Sequence, residues 1–195
     1  MTEKAIFYHV PKTGGTWVCK AMKNAGLNPQ PVPVRHTHHP LRPMVFRTHA
    51  TPSCISQRYK RGRFSFCFIR HPVDWYRSYW RDQQKALDAP VKWWMDELRT
   101  LPFREWVHAV LDHSPGFVTK LYRYYQPVDF VGRREALAAG LEHALHQAGE
   151  RFNHRALVET PPLNVGVGSF AMLDGVTLYR ILTEEAEAVE WTSAS

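Results

Sequence analysis

The chain has 195 residues, a length that suits one domain with a sizeable core. Hydrophobic residues make up 44% and charged residues 22%, the balance of a globular protein rather than a disordered or fibrous one. No apolar run approaches the length of a membrane span, and the net charge of +7 favours an anionic partner: a nucleotide, an acidic or sulfated glycan, a nucleic acid or a membrane surface.

The N-terminus, Met-Thr-Glu-Lys, leads straight into an apolar strand pattern with no leader-like region, so the expected location is cytoplasmic. The three cysteines, Cys19, Cys54 and Cys67, are odd in number and lie in apolar segments. They read as reduced core thiols, and without a Cys-x-x-Cys pair a structural zinc site is not expected.

The first predicted element is a short buried strand over Ala5 to His9. A tight turn, Pro11 to Gly15, follows, and a helix runs from about Thr16 to Ala25, closed by Gly26. Adjacent glycines let backbone approach a ligand closely, and the helix start turns N–H groups and a positive dipole end towards the turn. This is an anion site suited to phosphate, to which Lys12 adds a mobile charge and Thr13 and Thr16 add hydroxyls. The nucleotide-triphosphatase loop is excluded, because there the lysine follows the second glycine, whereas Lys12 precedes Gly14 and Gly15.

From Asn28 to Pro43 five prolines predict an irregular surface connection. Its His36, His38 and His39 fit a basic loop beside an anionic substrate better than a metal site, since no second ligand cluster accompanies them. Met44 to His49 reads as a second strand, and a short helix is expected over about Ser53 to Tyr59. Lys60 to Arg63 forms a basic turn. Phe64 to Ile69 is apolar nearly throughout, as in a parallel strand covered on both faces, and a helix follows from about Val73 to Ala86.

Pro102 opens another helix, whose Phe103, Trp106, Val107, Val110 and Leu111 make a core stripe. Val128 to Gly132 predicts a fourth strand, and Glu135 to Ala148 a helix with Leu137, Leu141 and Leu145 on one face, capped by Gly149. Ala156 to Glu159 reads as a small strand or extended segment, and Thr160 to Ser169 as loop. Thr183, followed by Glu184 and Glu185, predicts the cap of a last helix, and residues 192–195 a frayed tail.

Strands alternating with helices predict a single α/β domain over residues 1–195: three layers, with a central, mostly parallel sheet flanked by helices. Ligands in such sheets sit beyond the carboxyl ends of the strands, so the Lys12 turn, His49 and Arg70 are expected on one rim. Arg70 and Ser78, eight residues apart across a strand–helix corner, suit a phosphate, with Arg77 and Arg81 as lesser candidates. His49 is the candidate general base, and His9, just before the turn, is its rival in sequence, though a structural role suits it better. The aromatic cluster Trp75, Tyr76, Tyr79, Trp80, Trp93 and Trp94 fits either a ring-stacking acceptor site or a core, and core is the commoner use.

The string Pro11-Lys12-Thr13-Gly14-Gly15-Thr16-Trp17 resembles the 5′-phosphosulfate loop of sulfotransferases that use 3′-phosphoadenosine 5′-phosphosulfate (PAPS). Phe68 to Tyr79, with Arg70 ending the strand and Ser78 eight residues on, resembles their 3′-phosphate segment. Arg47-Thr48-His49 resembles the strand that carries the catalytic base in the cytosolic members. Val128 to Glu135 and Leu163-Asn164-Val165 resemble later segments of carbohydrate sulfotransferases.

The resemblance implies a P-loop-like nucleotide-transferase fold and sulfuryl transfer from PAPS, with PAP as product, to a hydroxyl or amine of a carbohydrate or small-molecule acceptor. It implies Lys12 and His49 as catalytic residues. Lys12, Thr13, Gly14, Gly15, Thr16, Trp17, Arg70, Ser78 and Arg133 are implied to bind the donor. No metal, nucleic acid or membrane is called for. Two departures stand out: Arg134 occupies a position where an aromatic is common, and no basic cluster follows Asn164 until Arg180, leaving His154 and Arg155 as substitutes. Two rival functions remain open at this level. One is a nucleotide kinase of related fold, although Asp74 is the sole acid just past a rim motif. The other is a non-catalytic binder of PAP or anionic glycans.

Overall fold

In the computed structural model, the structure describes residues 1–33, 49–85, 94–163 and 173–193. In chain order its elements are β1 (Ala5–Tyr8), α1 (Gly15–Asn24), a 3-10 turn (Pro52–Cys54), α2 (Gln57–Lys60), β2 (Phe64–Ile69), α3 (Pro72–Gln84), α4 (Trp94–Glu97), α5 (Phe103–His113), α6 (Phe117–Arg123), β3 (Phe130–Arg133), a second 3-10 turn (Arg134–Ala136), α7 (Leu137–Gln147), α8 (His154–Val158), α9 (Gly175–Glu184) and α10 (Ala186–Ser193). The architecture is the α/β class that the sequence predicts: a parallel sheet flanked by helices. Its chain divides into two compact units, Met1–Ile69 with Tyr124–Val165, and Arg70–Arg123 with Gly166–Ser195.

The first unit holds the sheet, ordered β1-β2-β3 and parallel throughout. Tyr8 pairs with Cys67, and Ile69 with Arg133, so the three carboxyl ends lie along one edge. Side chains alternate across a strand, and the two faces are covered differently. Ala5, Phe66 and Phe68 join Trp17, Val18, Ala21 and Met22 of α1, Leu141, Ala144 and Leu145 of α7, and Leu157 of α8 in one core. Ile6, Tyr8, Cys67 and Ile69 belong to the other face and are buried as well, which explains why β2 lacks a polar alternation. Tyr125 lies beside Cys67 and Cys54 there, and burial drives its phenol pKa far up. Helix α7 comes close to the sheet because Gly132 and Gly140 both face Phe68; a Cβ on either would stand within 3 Å of that ring.

The second unit is helical. Trp75 and Tyr76 are fully buried with Trp106, Val107, Val110 and Leu111. Tyr79 stacks on Trp75 at 5.0 Å and on Trp106 at 6.0 Å between ring centroids. These aromatics of α3 are core, the commoner of the two uses open to them.

Several expectations change. The helix expected over Ser53 to Tyr59 is instead a 3-10 turn and the separate short α2, since Ile55 between them is extended. Ala156 to Glu159 is not extended: Asn153 caps α8 by accepting from the Ala156 N–H at 3.1 Å, and Leu157 plugs the core. Thr183 lies inside α9 rather than at a helix start, and Asp174 supplies the cap, accepting from the Thr177 N–H at 2.9 Å. Helices α4, α6 and α9 are not among the expected elements, and α10 runs to Ser193: Thr192 is buried and its hydroxyl donates to the Ala188 carbonyl at 2.8 Å, so the expected fraying does not begin at residue 192. The strand expected over Met44 to Thr48, the loop with His36, His38 and His39, Trp93, the stretch from Asn164 and the last two residues of the tail lie outside the described residues.

Candidate active site

The turn between β1 and α1 is held open by backbone geometry. Thr13 is buried, and its hydroxyl donates to the Val10 carbonyl at 2.9 Å, closing the turn from within. What Thr13 presents is therefore main chain. Gly14 is the N-cap of α1 at φ 96°, a left-handed conformation that glycine adopts without strain. Lys12 also has positive φ, 67°, and among the described residues it is the one non-glycine residue that does. That conformation costs a residue with a Cβ roughly 1–2 kcal/mol. Strain of this kind persists where the surroundings demand it, and ligand clamps are a common place for it.

No side chain caps α1 among the described residues, and its first turn carries no acid. The Val18 N–H makes the first bond back, to Gly14, at 3.2 Å, so the N–H groups of Gly15, Thr16 and Trp17 precede the intrahelical ladder. Thr16 is exposed, while Trp17 is buried and donates its indole N–H to the Thr160 carbonyl at 3.3 Å.

Gly15 is a glycine for another reason. A Cβ there would stand 1.9 Å from Cδ2 of His9 and 2.2 Å from its Nε2. Gly14 is crowded too, by Leu137 at 2.6 Å from the corresponding position. The two glycines thus admit side chains from behind, a service that the sequence does not reveal.

His49 joins this turn. Its Nδ1 lies 2.9 Å from the His9 carbonyl oxygen, which has only lone pairs to offer, so Nδ1 is the donor. A neutral ring in that tautomer keeps its free lone pair on Nε2. Tyr125 donates to the His49 carbonyl at 3.0 Å and fixes the backbone. The imidazoles of His9 and His49 are 4.6 Å apart, and Lys12 adds a positive charge near both. Burial, then His49, then Lys12 push His9 down to about 4. Burial also lowers His49, opposed by its bond to the His9 carbonyl. Both shifts favour the neutral ring, the state in which a histidine accepts a proton.

The sheet brings Lys12, His9 and His49 together at the carboxyl end of β1. Arg133 ends β3 on the same edge and is exposed. Arg70 directly follows β2, and Ser78 lies half-buried on α3; both belong to the second unit. There the Tyr122 hydroxyl grips the Arg70 backbone, donating to its carbonyl at 2.6 Å and accepting its N–H at 3.1 Å. Tyr122 stands 52 residues further along, and no local pattern announces it. Arg77 pairs with Asp74 at 3.5 Å. His154 and Arg155, the sequence's substitutes for a later basic cluster, are engaged by Glu142 at 2.9 Å and Glu159 at 2.7 Å. Among the described residues no group of three or more His, Cys, Asp or Glu side chains is placed to hold a metal ion.

A parallel sheet with a lysine-bearing glycine turn at its carboxyl edge is suited to hold an anionic group. A family model described as the sulfotransferase family matches residues 1–149, most of the chain, and the protein belongs to that family. Its chemistry is sulfuryl transfer to an acceptor. No curated protein and no solved structure matches the chain. No helix among the described residues is long and apolar enough to cross a membrane.

Proposed function

We propose that the protein is a PAPS-dependent sulfotransferase acting on a hydroxyl or amine of a carbohydrate or small-molecule acceptor, with residues 1–195 working as one domain. The observation that carries this reading is Lys12, held in a strained left-handed conformation beside a start of α1 that no side chain among the described residues caps. The turn fits the 5′ end of such a donor: main-chain N–H groups from Thr13 to Trp17 for its phosphate, glycines at 14 and 15, and no acid in the first turn to repel it.

His49 accepts the acceptor proton at Nε2 as the acceptor oxygen or nitrogen forms its bond to sulfur. The bond between sulfur and the bridging oxygen breaks, and Lys12 balances the charge that grows on that oxygen as PAP leaves. The 3′-phosphate is assigned to Arg70 and Ser78, with Arg133 a further donor contact. The clamp from Tyr122 fixes the Arg70 main chain, which supports that role. Positioning and charge stabilisation supply the rate, and no step calls for a metal. We place the protein in the cytoplasm, without a nucleic-acid or membrane partner.

The test is calorimetric titration with PAP, followed by labelled PAPS across a panel of glycans, phenols and amines. Binding of PAP that is lost in Lys12→Ala and in Arg70→Ala, together with transfer to one acceptor class, supports the reading. Equal PAP affinity in both variants removes the donor site. Binding without transfer to any acceptor makes the protein a PAP-binding member of the family instead.

A further inference from the structure

We infer that His9 is a positioning residue: its carbonyl sets the tautomer of His49, and its ring, wedged between His49 and the Cα of Gly15, sets the spacing between the base and the Lys12 turn. The inference rests on the donor-site reading above for its purpose, but its geometry stands without it. Three surfaces fix the ring. Phe7 stacks on it at 5.9 Å between centroids with planes 21° apart. His49 leans on it at 4.6 Å. Gly15 meets it so closely that Cδ2, Nε2 and Cγ all fall within 2.5 Å of where a Cβ would be.

Each contact has a consequence. The Gly15 contact joins the start of α1 to the end of β1 through a rigid five-membered ring, so the turn cannot rise or sink without moving His9. The His49 contact passes that position on to the second imidazole. The carbonyl bond removes the other tautomer of His49, in which the lone pair would sit on Nδ1. A chain that needs a base at a set distance from a phosphate loop gains both from one residue. His9 itself does not touch the reacting atoms in this scheme. Lys12 and His49 are the charged or titratable groups that bear on it.

The experiment is a double-mutant cycle between positions 9 and 15, read by PAP affinity, melting temperature and the nitrogen resonances of the His49 ring. Gly15→Ala is expected to weaken PAP binding at least tenfold, because the new methyl strikes the His9 ring. The same change in a His9→Ala background is expected to cost less than about threefold, because the ring is gone. His9→Ala keeps the carbonyl and should leave His49 in the Nδ1–H state, while loss of the ring 4.6 Å away shifts the His49 resonances. His9→Phe keeps a ring in the wedge and should leave them in the Nδ1–H state. Should Gly15→Ala fail to fold, recovery of a cooperative melt in the double variant supports the wedge. Failure of both to fold overturns it, as does an equal cost of Gly15→Ala in the two backgrounds or an unchanged His49 spectrum in His9→Ala. If PAP does not bind at all, the melting and ring readouts still decide the wedge, and the donor-site reading alone falls.

Discussion

Two helix starts in this protein solve the same problem in opposite ways. At the start of α6, Glu185 is fully buried and its carboxylate accepts the Val118 N–H at 2.9 Å, the Thr119 N–H at 2.8 Å, the Thr119 hydroxyl at 2.8 Å and the Tyr76 hydroxyl at 2.6 Å. The chain supplies its own anion. At the start of α1 no side chain among the described residues caps the helix and no acid lies in its first turn, and a lysine stands there in a strained backbone conformation. A helix start that carries its own carboxylate is a joint. One that is flanked by a cation and no carboxylate is suited to receive an anion from outside.

The largest way to break this contrast is to remove the cation. Lys12→Ala is expected to lower sulfuryl transfer by about 10²- to 10³-fold, measured with labelled PAPS, the loss typical of one transition-state charge contact. Lys12→Gly should lose transfer equally while raising the melting temperature, because glycine relieves the positive φ. A variant that melts lower than Lys12→Ala would show that the backbone is not strained.

Glu185→Gln tests the other start. One carboxylate oxygen becomes an NH2 group facing donors, which leaves buried polar groups unmatched and should cost about 3 kcal/mol in urea unfolding. A change under 1 kcal/mol would mean that the joint does not depend on its charge.

Acid should push the two regions in opposite directions. His9 sits at about 4 in the folded chain, below the usual 6.5, so the unfolded state binds the extra proton first. The stability this contributes is complete above pH 6.5 and is lost as pH falls towards 4, by up to roughly 3 kcal/mol. The lowered pKa of His49 acts in the same sense. Burial raises the Glu185 carboxyl above its ordinary 4.5 against the pull of its four donors. There the folded state binds the proton first, so stability rises as pH falls. Amide exchange corrected for intrinsic rates, followed in both units from pH 7 to 4, should show protection around β1 falling before that around α6. Loss at α6 first would reverse the assignment.

The smallest test converts one start into the other. Thr16 is exposed in the first turn of α1. Thr16→Glu should stabilise the helix by about 0.5 kcal/mol through the dipole, yet weaken PAP binding by about tenfold. Unchanged binding would place the anion elsewhere.

Much of the first helix start was legible in sequence, because its signals are local: a strand, Lys12, two glycines and a helix within a dozen residues. Strand β2 and helices α5 and α7 were equally readable, since their apolar spacing repeats along one segment. The second helix start was not. Glu185 follows Thr183 and Glu184 in a pattern that mimics a helix cap, and only packing against Tyr76 and Thr119 reveals a buried carboxylate. The wedge at Gly15 stayed hidden for a similar reason: adjacent glycines suggest positive φ, and Gly14 has it, but Gly15 answers to a ring across the turn. Helix α8 misled because Ala156 to Glu159 has too few residues for a period to show, and its identity comes from Asn153.

Leu137 carries a consequence of a different kind. It lies against Gly14 from the start of α7, where a Cβ on Gly14 would meet it at 2.6 Å, so that helix backs the turn. During synthesis β1 and the turn emerge first, whereas Leu137 emerges after Arg70–Arg123, the first segment of the other unit, has been made. A nascent chain stopped at Arg123 would hold Lys12, His49 and Arg70 and still lack the prop behind Gly14. The Lys12 turn is thus among the earliest residues translated, while the side chain that backs it is made only after Arg123.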